Sequence, residues 1–161
     1  MRRVHTAFAV LAFALLIAPA AAHKAHVKSI EITHPWVRAM PCGTTLTAGY
    51  AKITNKGEAP DRLIAASLEG ALKAELHETT TANGVSSMRA VAGGIEIPPG
   101  ATVTLATGGL HIMFLDVAKP LEAETYVPGS LTFEKAGRLD LEFYVEPLAP
   151  KANAAAEQHA H

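Results

Sequence analysis

The sequence predicts an all-β domain, a Greek-key sandwich or barrel, and three observations carry that prediction. Short runs in which apolar and polar residues alternate recur from residue 27 onward, and a period of two marks a strand with one buried face rather than a helix. Turn chemistry separates these runs at Asn55-Lys56-Gly57, Asn83-Gly84, Pro98-Pro99-Gly100, Gly108-Gly109, Pro128-Gly129 and Ala136-Gly137. The runs follow one another at roughly 8 to 12 residues, the rhythm of antiparallel sandwiches. There is no internal repeat, and nothing suggests a buried parallel sheet.

Taken in order, residues 1–22 are set aside as a signal peptide. Arg2 and Arg3 form a positive start, Ala7 to Ile17 is an apolar run too short to cross a bilayer, and Ala20-Ala21-Ala22 supplies small residues for cleavage. The expected domain, 23–146, follows. Its candidate strands are Val27 to Thr33, Ala48 to Thr54, Arg62 to Ser67, Ala71 to Glu78, Ser87 to Val91, Ala101 to Ala106, Leu110 to Asp116, Ser130 to Glu134 and Leu139 to Val145. In the last of these, Leu139, Leu141, Phe143 and Val145 alternate with Asp140, Glu142 and Tyr144, so one face points inward and the strand reads as a sandwich edge or outer sheet. Residues 147–161 are rich in Ala, Pro and polar groups without a period and read as a flexible, His-containing tail.

Composition narrows the function. Without Arg2 and Arg3 the chain carries 12 basic against 15 acidic side chains, a mildly acidic balance with no basic stripe to neutralise phosphates, so nucleic acid is not an expected partner. Export places the chain in an oxidising compartment, expected to be the periplasm, with no stable membrane insertion once the signal is gone. Cys42 is the one cysteine and can form no intrachain disulfide. It lies too far from the signal, after Met40-Pro41, to be a lipid attachment point. A monomer is expected, standing on packing alone.

The candidate chemistry lies in Leu110-His111-Ile112-Met113-Phe114, where alternation puts His111 and Met113 on one face and the apolar residues on the other. Residues two apart on a strand are roughly 6.5 to 7 Å apart at the backbone, a gap an imidazole and a flexible thioether can close onto one ion. Such a pair is weak by itself. A second pair, His77 and Met88, flanks the hairpin signal Asn83-Gly84, so the chain can reverse and bring Met88 back beside His77. Taken singly, His77 is a surface histidine beside Glu75 and Glu78, and Met88 a core filler. Together, two imidazoles and two thioethers form a neutral, soft-to-borderline set that suits Cu(I) and holds hard ions poorly. Thioethers do not close into disulfides, so the set survives export, and with no thiolate nearby a blue-copper centre is not available.

His77, ten intervening residues, Met88, twenty-two more and then His111-x-Met113 resemble the signature of the PCuAC copper chaperones, with a middle gap one residue longer than is usual there. The extra residue falls across the loop of Gly93-Gly94 and Pro98 to Gly100. The likeness extends to His34-Pro35-Trp36-Val37-Arg38-Ala39, Tyr50 to Asn55 with Gly57, Gly93 to Pro98, Gly109 to Met113 and Leu131 to Glu134, covering roughly residues 29–146. The resemblance implies a cupredoxin-like β-sandwich with a Cu(I) site at its edge, delivering copper toward the CuA centre of cytochrome c oxidase. It also implies, as partners, a Sco-type thioredoxin-fold assembly protein and the CuA domain of oxidase subunit II.

Outside this set, His23 and His26 mark the expected new N-terminus and His159 and His161 the C-terminus. A free amine with the imidazole of His23 would chelate Cu(II), and the tail histidines resemble extensions that take a second, looser Cu(II) in some members of the family. His34 reads as a structural histidine at a buried loop start. A copper-buffering or resistance protein, a copper-dependent redox enzyme and a metal-free adhesive sandwich are the competing readings. No CxxC, nucleophile triad or phosphate loop supports an enzyme, and the metal-free reading leaves His77, Met88, His111 and Met113 as coincidences.

Overall fold

The computed structural model describes residues 24–148, and among them every regular element is a strand. Eleven follow in order: β1 (Lys24–Val27), β2 (Ile30–Arg38), β3 (Thr47–Asn55), β4 (Asp61–Leu68), β5 (Ala71–Ala82), β6 (Val85–Ala90), β7 (Ile95–Ile97), β8 (Thr102–Leu105), β9 (Leu110–Val117), β10 (Tyr126–Phe133) and β11 (Gly137–Glu146). They join along the path β6-β5-β9-β3-β2-β11-β10-β4-β7, with β1 beside β2 and β8 beside β3. The predicted all-β class holds. The expected signal peptide and all but the first residues of the tail, with His23, His159 and His161, lie outside the described residues.

Two strands change neighbours midway, and this bends the sheet around one core. β2 pairs with β1 through Ile30 to Thr33 and in parallel with β11 through Trp36 to Arg38. The switch occurs where the β2–β3 register shifts between Thr33 and Trp36, with His34 at a positive φ of 53°. β3 pairs with β9 through Thr47 to Gly49 and with β8 through Ala51 to Thr54. The enclosed face carries Ile53, Leu63, Ile97, Ile112, Phe114, Leu131, Phe133 and Phe143, all essentially buried, with Phe114 and Phe143 meeting edge to face at 5.7 Å. Asp61 closes the far end: its buried carboxylate accepts from the backbone N–H groups of Arg62 (2.7 Å), Lys135 (2.9 Å) and Ala136 (2.9 Å), tying the start of β4 to the β10–β11 turn.

The structure corrects three expectations. Pro128-Gly129, read as a turn, lies inside β10. Pro128 lies just before the stretch that pairs with β4, where its carbonyl accepts from the Glu69 N–H just past the end of that strand. A Cβ on Gly129 would lie 2.5 Å from the Ser67 carbonyl and 2.8 Å from the Phe143 ring, so glycine serves close approach here rather than chain reversal. β11 is not an edge: its alternation is as expected, but it lies between β10 and β2, and its pairing with β2 is parallel. His34 is not in a buried loop; it is exposed within β2, 3.1 Å from Glu146.

Candidate metal centre

β5 and β9 pair in a register that sets His77 directly opposite His111 and Glu75 opposite Met113. Directly opposed residues of an antiparallel pair share a face, as do residues two apart on one strand. His77, Glu75, His111 and Met113 therefore project together from the face opposite Leu76, Ile112 and Phe114, which are buried in the core. The two imidazole rings are 5.9 Å apart, centre to centre.

Met88 arrives from the β5–β6 hairpin. Asn83 and Gly84, with φ of 51° and 77°, form a two-residue turn of the kind that matches strand twist, and Ala82 pairs with Val85. From there the register is fixed: Met88 stands opposite Thr79 and Ala90 opposite His77. Met88 thus shares the imidazole face but sits diagonal to His77 rather than beside it, a separation of about 7 to 8 Å that a long, flexible thioether can span. Of the four predicted residues the fold brings His77 and His111 into ring contact, sets Met113 next along β9, and leaves Met88 on the edge strand.

Exposure rises steadily outward. His111 is 4% exposed, the His77 side chain 17%, and Met88 54%. What buries His111 is a wall of rings invisible to motif reading: Tyr50 at 6.4 Å, then Trp36 at 4.3 Å from Tyr50, with the Arg38 guanidinium 6.0 Å from the Trp36 ring. The strand register supplies this wall, because Tyr50 follows Gly49, the partner of Ile112, and pairs in turn with Trp36.

Hydrogen bonds differentiate the ring nitrogens. His111 Nδ1 lies 2.9 Å from the Gly109 carbonyl, which can only accept, so this nitrogen carries the proton and in the neutral tautomer the lone pair is on Nε2. His77 Nε2 lies 2.8 Å from a carboxylate oxygen of Glu75, while its Nδ1 is buried without a hydrogen-bond partner. Lys73 pairs with the other Glu75 oxygen. Hydrogen bonds from Lys73 first and His77 second hold the Glu75 carboxyl below its ordinary range, and Glu75 raises Lys73 in return. Glu75 was legible only as a charged neighbour of His77; its position two residues away on the same strand was the available signal.

Among the described residues no three or more His, Cys, Asp and Glu side chains are grouped to hold a metal. The two thioethers that share the imidazole face, Met88 and Met113, are soft donors. His26 lies apart from this face, exposed on β1 opposite Glu31. Cys42 is exposed in the turn after β2.

The sequence profile of the LpqE-like family, described as "Putative lipoprotein LpqE-like", matches residues 30–145. A relative from Leifsonia xyli subsp. xyli, "Putative lipoprotein Lxx21020", is 35% identical over 104 residues, which is 65% of this chain and 61% of the relative, so the chain spans about three fifths of that protein. Among solved structures, the copper-bound PCuAC domain from PmoF2 superposes with a TM-score of 0.68 at 30% identity, covering 78% of this chain and 99% of that domain. The Cu(I)-bound form of DR1885 from Deinococcus radiodurans superposes with a TM-score of 0.59 at 29% identity, covering 80% of this chain and 83% of that one. The cupredoxin-like fold expected from the sequence is the fold these domains share.

Proposed function

The chain belongs to the LpqE-like family and its domain is of the PCuAC type, and from that premise we propose that it is an exported copper carrier holding Cu(I) between His77, His111, Met88 and Met113. The observation that carries this is the pairing of His77 with His111 across β5 and β9, with Met113 and Met88 on the same face to either side. Two of the similar solved structures are described as copper-bound, one of them with Cu(I). Two neutral imidazoles and two thioethers give Cu(I) a soft set without adding charge.

The exposure gradient supports a carrier rather than a store. A donor on the edge strand can be exchanged for a partner's sulfur or nitrogen while the less exposed imidazoles still hold the ion, so transfer proceeds by ligand exchange with no change of copper oxidation state. The recipient is a copper-handling protein of the same compartment; the oxidase CuA domain and its Sco-type assembly protein are the partners this reading names. His23, His26, His159 and His161 are a second, looser Cu(II) set in the same proposal. The relatives are named as lipoproteins, which agrees with export. Cys42, placed inside the domain after β2, is not proposed as an acylation site.

The test is a Cu(I) titration under reducing conditions with X-ray absorption at the copper edge, on wild type and on the Met88→Ala, Met113→Ala double variant. One tight Cu(I) with mixed nitrogen and sulfur ligands, lost in the variant, is expected. Binding indifferent to both methionines would end the proposal.

A further inference from the structure

Resting on the copper-carrier reading, we propose that Glu75 is a positioning residue of the metal centre: it fixes His77 as the Nε2–H tautomer, so that His77 offers Nδ1 to the ion while His111 offers Nε2. The argument begins with what each acceptor demands. An ionised carboxylate and a backbone carbonyl can only accept hydrogen bonds, so the nitrogen facing each must carry the proton. At His77 that nitrogen is Nε2, 2.8 Å from Glu75; at His111 it is Nδ1, 2.9 Å from the Gly109 carbonyl. The nitrogens left with lone pairs are therefore unlike, Nδ1 of one ring and Nε2 of the other.

A second observation points the same way. His77 Nδ1 is buried and has no hydrogen-bond partner, and buried polar atoms without partners are rare enough to mark a place where something binds. Glu75 is itself anchored: it stands opposite Met113 across the strand pair, and Lys73, two residues earlier on the same face, pairs with its second oxygen. Lys73, Glu75 and His77 thus form a line along β5 that orients one imidazole from outside, as carboxylates commonly do behind metal-bound histidines. Cu(I), a soft ion, gains little from the carboxylate directly, so Glu75 acts through the ring and not as a ligand.

Two measurements test this. Two-bond ¹H–¹⁵N correlation NMR of the metal-free protein, at a pH where the imidazoles are neutral, is expected to show His77 as the Nε2–H tautomer and His111 as the Nδ1–H tautomer. A His77 Nδ1–H tautomer overturns the proposal. Competition titration with a chromophoric Cu(I) chelator is expected to show about 10- to 100-fold weaker binding in Glu75→Ala. Glu75→Gln, whose side-chain oxygen can accept the same N–H, is expected to stay within about threefold of wild type. An Ala variant that binds like wild type, or a Gln variant as impaired as Ala, overturns it as well. If Glu75→Ala fails to fold, the Gln variant and the tautomer decide. Wild type that binds no Cu(I) would sink the carrier reading, while the tautomer result is read on the metal-free protein and stands apart.

Discussion

Two buried polar centres lie at different places on the fold, and they are built in opposite ways. At Asp61 each demand is met: both carboxylate oxygens accept backbone N–H groups, three in all, and the cluster joins β4 to the β10–β11 turn. At His77 one ring nitrogen is held by Glu75 and the other is buried with nothing to bond. A polar group satisfied by its own backbone is a clasp. One left unsatisfied, on a face that also carries a second imidazole and two thioethers, is what the proposed copper site would use as a socket. If the comparison is right, damage to the clasp lowers stability and spares metal binding, whereas damage to the socket does the reverse.

The largest expected effect is on the clasp. Asp61→Ala leaves the N–H groups of Arg62, Lys135 and Ala136 without their acceptor and is expected to lower stability by about 3 kcal/mol in urea denaturation. Its Cu(I) affinity should remain within about threefold of wild type, since separated sites with no shared partners act independently. A loss of copper binding as large as the loss of stability would abolish the distinction. Next comes the socket. His77→Ala is expected to weaken Cu(I) binding about 100-fold, roughly 2.7 kcal/mol, with a far smaller change in the urea midpoint of the metal-free protein, because it removes the unpaired nitrogen. Met88→Ala sharpens the contrast: at 54% exposure it packs little, so binding should weaken about tenfold, roughly 1.4 kcal/mol, while stability stays within about 0.5 kcal/mol. A midpoint shift in Met88→Ala comparable to that of Asp61→Ala would make Met88 a packing residue.

The socket was more legible in the sequence than the clasp. Alternation alone put His111 and Met113 on one face, and the Asn83-Gly84 turn announced the hairpin. The turn even contained the register: a two-residue loop closed by Ala82 and Val85 forces Met88 opposite Thr79, by counting outward along both strands. What no local pattern held was the pairing of β5 with β9, which sets His77 against His111 across more than thirty residues of chain. Nor did it hold the Tyr50–Trp36 wall, which depends on β3 lying between β9 and β2. Pro128 and Gly129 misled because their turn chemistry is real, and only the neighbours, Ser67 and Phe143, show that this glycine provides close approach. Asp61 offered no signal, since two of its three partners are backbone groups more than seventy residues away.

The smallest expected effect sharpens the clasp by titrating it. Burial alone would raise the Asp61 pKa, but the backbone N–H groups of Lys135, Arg62 and Ala136, with the Lys135 ammonium, together outweigh it and hold the folded value below the ordinary 3.8. A carboxyl depressed in the folded state contributes stability that is fully present above its unfolded pKa and is lost as pH falls through the folded one. Wild type should therefore lose stability on acidification below about pH 4. The loss should be smaller than in Asp61→Ala, because protonation leaves both oxygens in place and one can still accept fully. Glu31 and Glu75 are also depressed, by Lys56 and Lys73 first among their causes, so the acid loss is not Asp61's alone. The informative quantity is the difference between wild type and Asp61→Asn, a variant that keeps the shape and removes the titration. Urea midpoints of the two should converge as pH falls through the acid range. Parallel curves would mean that Asp61 titrates alike in the folded and unfolded chains, and that the three backbone hydrogen bonds do not favour its charged form.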